Sequence, residues 1–245
     1  MQKSYERLKK QEGIPTVPKE RRIRPIHIWQ SAAAILFLLL ASSVYLSTVG
    51  TKAETDLLQQ YIPIAKMRSL TLPDGTKVQL NSKSTLLYPH EFTGDSRSVF
   101  LLGEANFKVK PDKKRPFIVK SNDLQITALG TEFNVRDYPD EHQVVATLVN
   151  GSVQFSDKNK SGRQVILQPG FQVVVDSLRR DWEVRKVNLE EYVGWRNGLY
   201  VFSHLTLEEL MKIVERNYDV TVFFANEECK KLVFSGDLQK YEKVE

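Results

Sequence analysis

A mainly β protein carried behind one apolar N-terminal helix, with a small α+β unit at its end, is the fold class the sequence predicts. Three observations carry the expectation. No Asp, Glu, Lys or Arg occurs between Pro25 and Thr51. Residues 67–187 are a series of short apolar runs separated by turn residues, the signature of an all-β domain. After Leu189 the period changes to that of one amphipathic helix with a strand on either side.

The first element is the apolar one. Ile26–Val49 reads IHIWQSAAAILFLLLASSVYLSTV, and as a helix at 1.5 Å per residue it reaches about 36 Å, enough for the ~30 Å hydrocarbon layer. Trp29 and Tyr45 stand near its ends, where amphipathic rings favour the headgroup region. The chain's 35 Lys and Arg against 30 Asp and Glu leave a formal charge of +5. Residues 1–25 hold that whole surplus, so loops flanking the helix differ sharply in basic content. The positive-inside rule then places 1–25 in the cytoplasm, 26–49 across the membrane, and everything after Gly50 outside. A cleaved signal peptide shares this charge order, and a buried core helix is the third reading. The long leader and the lack of a small-x-small end to the run favour an uncleaved anchor. A body with balanced charge offers no basic face for nucleic acid. A single cysteine, Cys229, excludes an internal disulfide.

Residues 50–66 form a juxtamembrane connector, helical in pattern over Glu54–Gln60. Strands follow. Ser69–Leu72 and Lys77–Leu80 flank Pro73-Asp74-Gly75, a strand–turn–strand pattern. Further runs are Leu86–Tyr88, Val99–Leu102, Ala105–Val109, Phe117–Lys120, Leu124–Leu129, Thr131–Tyr138 and Val144–Val149. Asn150-Gly151 is the strongest hairpin signal in the chain. Ser152–Phe155, Val165–Leu167, Phe171–Val175 and Trp182–Val187 complete a region compatible with a sandwich, a barrel or a solenoid. From 188 to 245 the pattern gives a strand at Leu199–Ser203 and a capping box in Thr206-Leu207-Glu208-Glu209. Leu207, Leu210, Met211 and Val214 then share one helical face, Asn217 is a stop, and strands are expected at Val220–Phe224 and Lys231–Ser235. Tyr241–Glu245 reads as the opening of a second helix, so this α+β unit is expected to be truncated.

These residues resemble a known family. Leu72-Pro73-Asp74-Gly75-Thr76-Lys77-Val78-Gln79-Leu80-Asn81, Leu87-Tyr88-Pro89, Phe92, Arg97, Val99, Leu101, Gly103-Glu104-Ala105 and Phe107 are similar to the opening of the FecR domain. Pro116-Phe117, Leu129-Gly130-Thr131, Phe133-Asn134-Val135, Thr147-Leu148 and Leu167-Gln168-Pro169-Gly170 continue it in order. Trp195, Gly198 and the helix after Phe202 resemble the STN-like (secretin and TonB N-terminus) module that follows FecR in Bacteroidetes-type regulators. The resemblance implies a single-pass inner-membrane anti-sigma regulator without cofactor. Its implied partners are an extracytoplasmic-function sigma factor inside and, in the periplasm, the N-terminal signalling domain of an outer-membrane TonB-dependent transporter.

No catalytic constellation emerges. The histidines (27, 90, 142 and 204) are dispersed, and neither a nucleophile elbow nor a P-loop is present. Glu104, Glu132, Asp137 and Asp140 are expected to be strand-edge charges facing water. Gly130-Thr131 matches the dipeptide at which some FecR-type regulators cut themselves by an N-to-O acyl shift; the competing expectation is a glycine at a sharp strand entry. Val201, Phe202, Val222, Phe223 and Phe224 are more apolar than one small sheet requires, and a strand edge there could pair with a partner strand. The rival to the regulator reading is a membrane-tethered β domain that binds polysaccharide or cell-wall material. An anchored hydrolase lacks the acid/base or metal cluster it would need.

Overall fold

The computed structural model describes residues 25–50, 56–122, 124–157, 163–176, 178 and 181–239. The basic leader before Pro25, connector residues 51–55 and the expected helix at Tyr241–Glu245 lie outside the described residues. The chain divides into two units, Met1–Glu54 and Thr55–Glu245. In the first, helix α1 covers Pro25–Gly50, 26 residues with no acidic side chain in the first turn and no basic one in the last. Its side chains are described at Trp29, Gln30 and 33–45, all exposed. Among the described residues no helix is long and apolar enough to cross a membrane.

The second unit opens with thirteen strands: β1 (Leu57–Tyr61), β2 (Arg68–Thr71), β3 (Lys77–Leu80), β4 (Thr85–Pro89), β5 (Arg97–Lys108), β6 (Phe117–Ser121), β7 (Leu124–Ala128), β8 (Glu132–Asp137), β9 (Gln143–Asn150), β10 (Val153–Asp157), β11 (Gln164–Leu167), β12 (Phe171–Asp176) and β13 (Trp182–Lys186). They form a sandwich. One sheet runs β1-β4-β5-β6-β7-β10-β11, the other β2-β3-β5-β8-β9-β12-β13. Alternation builds both inner faces: in β7, Leu124, Ile126 and Ala128 are buried while Gln125 and Thr127 are half-exposed. Phe107 and Phe133 stack at 5.4 Å, Phe107 meets Phe117 across the core at 5.9 Å, and Phe155 meets Trp182 edge-on at 5.0 Å.

Strand β5 belongs to both sheets. The expected strands Val99–Leu102 and Ala105–Val109 are one twelve-residue strand. Its first half pairs with β4 and, in parallel, with β6; its second half pairs with β3 and β8. The transfer occurs at Gly103 (φ +99°), where a Cβ would stand 2.8 Å from the Ser84 Cα. The start of β5 is held by Arg97, whose guanidinium pairs with Asp74 at 2.7 Å with both side chains almost fully buried. It also donates to the Arg115 and Lys110 carbonyls. Asp74 in turn accepts from the Thr76 amide and hydroxyl, so the Pro73–Gly75 turn, the one between β2 and β3 that was expected, is tied to β5.

Three expectations are corrected. The helical-looking connector is strand β1 over Leu57–Tyr61, because the free edge of β4 supplies five paired positions there that outweigh weak helix propensity. Asn150-Gly151 is a turn with positive φ (90° at Gly151), yet β9 and β10 do not pair. The turn carries the chain from one sheet to the other, and β9 pairs with β8 and β12 while β10 pairs with β7 and β11. Residues 220–224 form no strand.

After β13 come a short helix α2 (Glu190–Val193), a 3-10 turn (Gly194–Asn197), β14 (Leu199–Thr206), α3 (Leu207–Tyr218), a second 3-10 turn (Glu227–Lys231) and β15 (Val233–Gln239), which pairs antiparallel with β14. The capping box forms as expected, the Thr206 hydroxyl accepting from the Glu209 amide while the Glu209 carboxylate accepts from the Thr206 amide. Leu210 is buried, and Leu207, Met211 and Val214 are half-buried beside it.

Gly103→Ala forces a Cβ onto Ser84 in a backbone region that disfavours side chains, at a cost of about 2–5 kcal/mol. Thermal unfolding of the full chain in detergent is expected to shift down by at least about 5 °C. An unchanged Tm would contradict the close approach of β4 and β5.

Candidate functional site

The outer face of the second sheet carries an unusual set of polar residues. Alternation sends Ala105 and Phe107 inward, so Glu104 and Asn106 must face outward, beside Asn134 and Arg136 of β8. An outer face of an antiparallel sheet is ordinarily solvated. Here β14, α3 and the turn before β14 cover it. Glu104, Asn106 and Asn134 are buried there, and Asp137, which shares the face of Phe133 and Val135 on β8, is buried against Ser121 and Asn122 instead, against the expectation that Glu104 and Asp137 face water; Glu132 is partly covered and Asp140 stays exposed. Sequence alternation identifies the face of a strand, not what later packs on it.

Glu104 sits at the centre. Asn81 Nδ2 donates to its Oε2 (2.8 Å) and Asn134 Nδ2 to its Oε1 (2.9 Å). Burial pushes its carboxyl above the usual range, and Arg136 and the two amides offset this only in part. Burial likewise raises Asp137, which accepts from Ser121 and Asn122. Beside them, Arg136 grips Glu141 with two bonds of 2.7 Å. Arg216 from α3 closes on the same carboxylate, lies 3.9 Å over the Tyr138 ring and reaches Asp140 at 3.4 Å. Burial works to raise Glu141, but the two guanidiniums outweigh it and hold the group below its ordinary value.

Asn217 extends the seam. Its Oδ1 accepts from Tyr200 (2.6 Å) and Ser82 (3.3 Å), while Tyr138 donates to the Ser82 carbonyl at 2.9 Å. Arg196 pairs with Glu132, and the Ala65 amide donates to the Arg216 carbonyl. The cleft enclosed by Asn81, Glu104, Tyr138, Trp195, Tyr200 and Arg216 measures about 90 Å³. Ordinary small-molecule sites hold roughly 300–1,000 Å³, so this is a docking seam between the sandwich and the C-terminal elements. A larger groove of about 460 Å³ at the β2 edge, lined by Ser69, Thr71, Lys77, Gln79, Lys108 and Arg196 among others, offers no aromatic platform for a sugar ring.

The sequence singled out none of Asn81, Asn134, Arg216, Asn217 and Tyr200 as site residues. The available signal was two polar residues, Arg216 and Asn217, in the last turn of an amphipathic helix. The expected partner residues separate. Val201 and Phe202 lie half-buried on β14, and Val222 and Phe224 are half-buried in the irregular segment after α3. Phe223 is 88% exposed.

Gly130 and Thr131 precede β8. A Cβ at Gly130 would lie 2.9 Å from Pro111, so glycine is required by the space. Thr131 Oγ1 is buried and, among the described residues, has no hydrogen-bond partner. An acyl shift needs a base on that hydroxyl. Among the described residues, no three His, Cys, Asp or Glu side chains converge as a metal site.

Two outcomes follow from this geometry. Thr131→Val replaces an unsatisfied buried hydroxyl with a methyl, so the variant is expected to melt at or above the wild-type temperature, and intact-mass measurement of the wild type is expected to give one uncut chain of 28.2 kDa. Fragments splitting at Gly130-Thr131 would reverse that reading. For Glu104, the folded carboxyl titrates above its unfolded value of about 4.5. The folded state thus binds the proton more tightly, and stability is lost as pH rises from the unfolded value through the folded one. The melting temperature of wild type minus that of Glu104→Gln is therefore expected to fall between pH 4.5 and neutrality; a rising difference would contradict the burial.

Comparison with known proteins agrees with this architecture. The FecR protein family model matches residues 62–176, and the FecR C-terminal family model matches residues 199–245. Two crystal structures of a candidate anti-sigma factor from Parabacteroides distasonis, at 1.65 and 2.50 Å resolution, superpose with TM-scores of 0.71 and 0.68. Each is 25% identical and aligns over 76% of this chain and 86% of the other. No curated protein matches the sequence. The two family matches, which together span well over half of the chain, make it a member of the FecR family.

Proposed function

We propose that this protein is an anti-sigma regulator anchored in the inner membrane by a single helix. The observation that carries the reading is the likeness, over three quarters of the chain, to a fold described as that of a candidate anti-sigma factor. In this reading residues 26–49 cross the membrane, the basic segment 1–25 lies in the cytoplasm and holds an extracytoplasmic-function sigma factor, and the sandwich lies in the periplasm. Support comes from the charge-free apolar run behind a leader that carries the entire basic surplus.

The signal arrives from the N-terminal domain of an outer-membrane TonB-dependent transporter. Its receiving surface is the β14–β15 unit with Val201, Phe202, Val222, Phe223 and Phe224. Among the described residues β14 and β15 pair only with each other, which leaves strand edges of the kind that accept an added strand. Partner binding transmits something only if it favours one state of the regulator over another. A single helix without charged residues is a poor relay for a subtle rearrangement, so regulated proteolysis of the anchored segment, freeing the sigma factor, is the output step.

The test is affinity capture of the solubilised full-length protein from its own host, with mass spectrometry of what it retains. A sigma factor is expected, and it is expected to be lost when residues 1–25 are deleted. Capture without any sigma factor, from protein shown to be membrane-inserted, would overturn the regulator reading.

A further inference from the structure

The seated C-terminal elements leave one end of the second sheet's outer face open. Cross-strand register lays out two rows there, Thr71–Lys77–Lys108–Glu132 and, two residues further along the strands, Ser69–Gln79–Asn106–Asn134. The groove of about 460 Å³ lies over the first row and over Ser69, Gln79 and Asn106, with Arg196 in its wall. Leu70 and Val78, on the intervening positions, pack into the core, so the side chains turned to the groove are polar.

Two groups in this groove lack a partner. Lys77 and Lys108 are exposed and stand directly opposite each other, with β-carbons roughly 5 Å apart, and like charges so placed destabilise a strand pair. Among the described residues no carboxylate pairs with either lysine. Glu132 adjoins Lys108 in the row, but its carboxylate pairs with Arg196. The groove therefore sets the cations of Lys77, Lys108 and Arg196 against the one carboxylate of Glu132. The second group is Asn106, which is only 3% exposed. Its Nδ2 reaches Glu132 Oε1 at 3.5 Å, while its Oδ1 has no hydrogen-bond partner among the described residues. A buried acceptor left in that state forfeits its hydration for nothing in return.

A ligand that satisfies both must bring negative charge to the lysines and a donor to Asn106. The surplus of positive charge matches a phosphomonoester, which carries about −1.5 to −2 near neutral pH, better than it matches a single carboxylate. Lysine ammoniums serve phosphate as point charges, without the planar fork that favours carboxylates. A hydroxyl on the same molecule supplies the donor for Oδ1. The groove falls within the roughly 300–1,000 Å³ of small-molecule sites, and it presents no buried aromatic or apolar anchor of the kind that carries a protein complex. We infer that this groove binds a small phosphorylated polyol, its phosphate held by Lys77 and Lys108 and one hydroxyl donating to Asn106 Oδ1. The bound molecule lies beside Arg196, the residue that ties the turn before β14 to Glu132 of β8. The site goes beyond the regulator reading and does not depend on it.

The experiment is isothermal titration calorimetry of the full-length protein in detergent with glycerol 3-phosphate and with n-propyl phosphate, which carries the phosphate but no hydroxyl. Glycerol 3-phosphate is expected to bind with a Kd below about 1 mM, and n-propyl phosphate about fivefold more weakly. A Lys77→Gln/Lys108→Gln pair, at exposed positions that leave the core intact, is expected to weaken both compounds by about tenfold or more. The same charge change at Lys113→Gln/Lys114→Gln, exposed lysines that do not line the groove, is expected to leave both affinities unchanged. Asn106→Ala is expected to bring glycerol 3-phosphate down to the affinity of n-propyl phosphate and to leave the latter as it was. The lysine variants carry the test should Asn106→Ala fail to fold. No binding of glycerol 3-phosphate, or equal losses in the two lysine pairs, overturns the site. Equal affinity of wild type for the two compounds overturns the hydroxyl contact, and with it the polyol.

Discussion

One strand has to serve two sheets, and the sandwich depends on it. β5 enters with Arg97 buried against Asp74 and leaves with Phe107 stacked between the layers. Between them Gly103 lets the strand change partners over Ser84. Its two halves each carry neighbours on both sides, so a displacement there disturbs four strand pairings together. The buried Arg97–Asp74 pair adds specificity of register rather than net stability, since desolvating two charges largely offsets their attraction. Breaking it by removing one partner would leave the other charge stranded.

The same strand aims chemistry outward. Because Ala105 and Phe107 must face the core, Glu104 is committed to the opposite face, and its neighbours Asn81, Asn134 and Arg136 follow from the register of β3 and β8. The C-terminal elements then seat on a surface of amides, guanidiniums and carboxylates. Such a seam is directional: Arg216 on α3 has one productive place, over Tyr138 and against Glu141. Polar contacts of this kind fix orientation while contributing less net adhesion than an apolar interface of equal area. That suits a unit held on the sandwich in one defined pose.

Several features were legible in the residues themselves because their causes are local. Pro73-Asp74-Gly75 supplies its own turn dihedrals, and the turn forms where the pattern put it. Thr206 and Glu209 are three residues apart, the spacing at which each reaches the other's backbone, and the capping box forms. Period-two alternation gave most strands of the sandwich and its inner face, and the absence of charge from 26 to 49 gave helix α1.

Tertiary structure alone decided what two distant segments do to each other. The signal at Asn150-Gly151 correctly reports a tight turn with positive φ, but whether the flanking strands pair depends on β7, β8, β11 and β12, which lie elsewhere in the chain. The five residues at the start of the second unit look helical in isolation and become β1 because β4 has a free edge. Glu104 and Asp137 look solvated because acidic residues on strands ordinarily are; their burial required knowing that α3 and β14 return over one site and that Ser121 and Asn122 close over the other. Local dihedral preference and side-chain period are written within a few residues, whereas strand partners and burial are set by contacts between segments that the linear order keeps far apart.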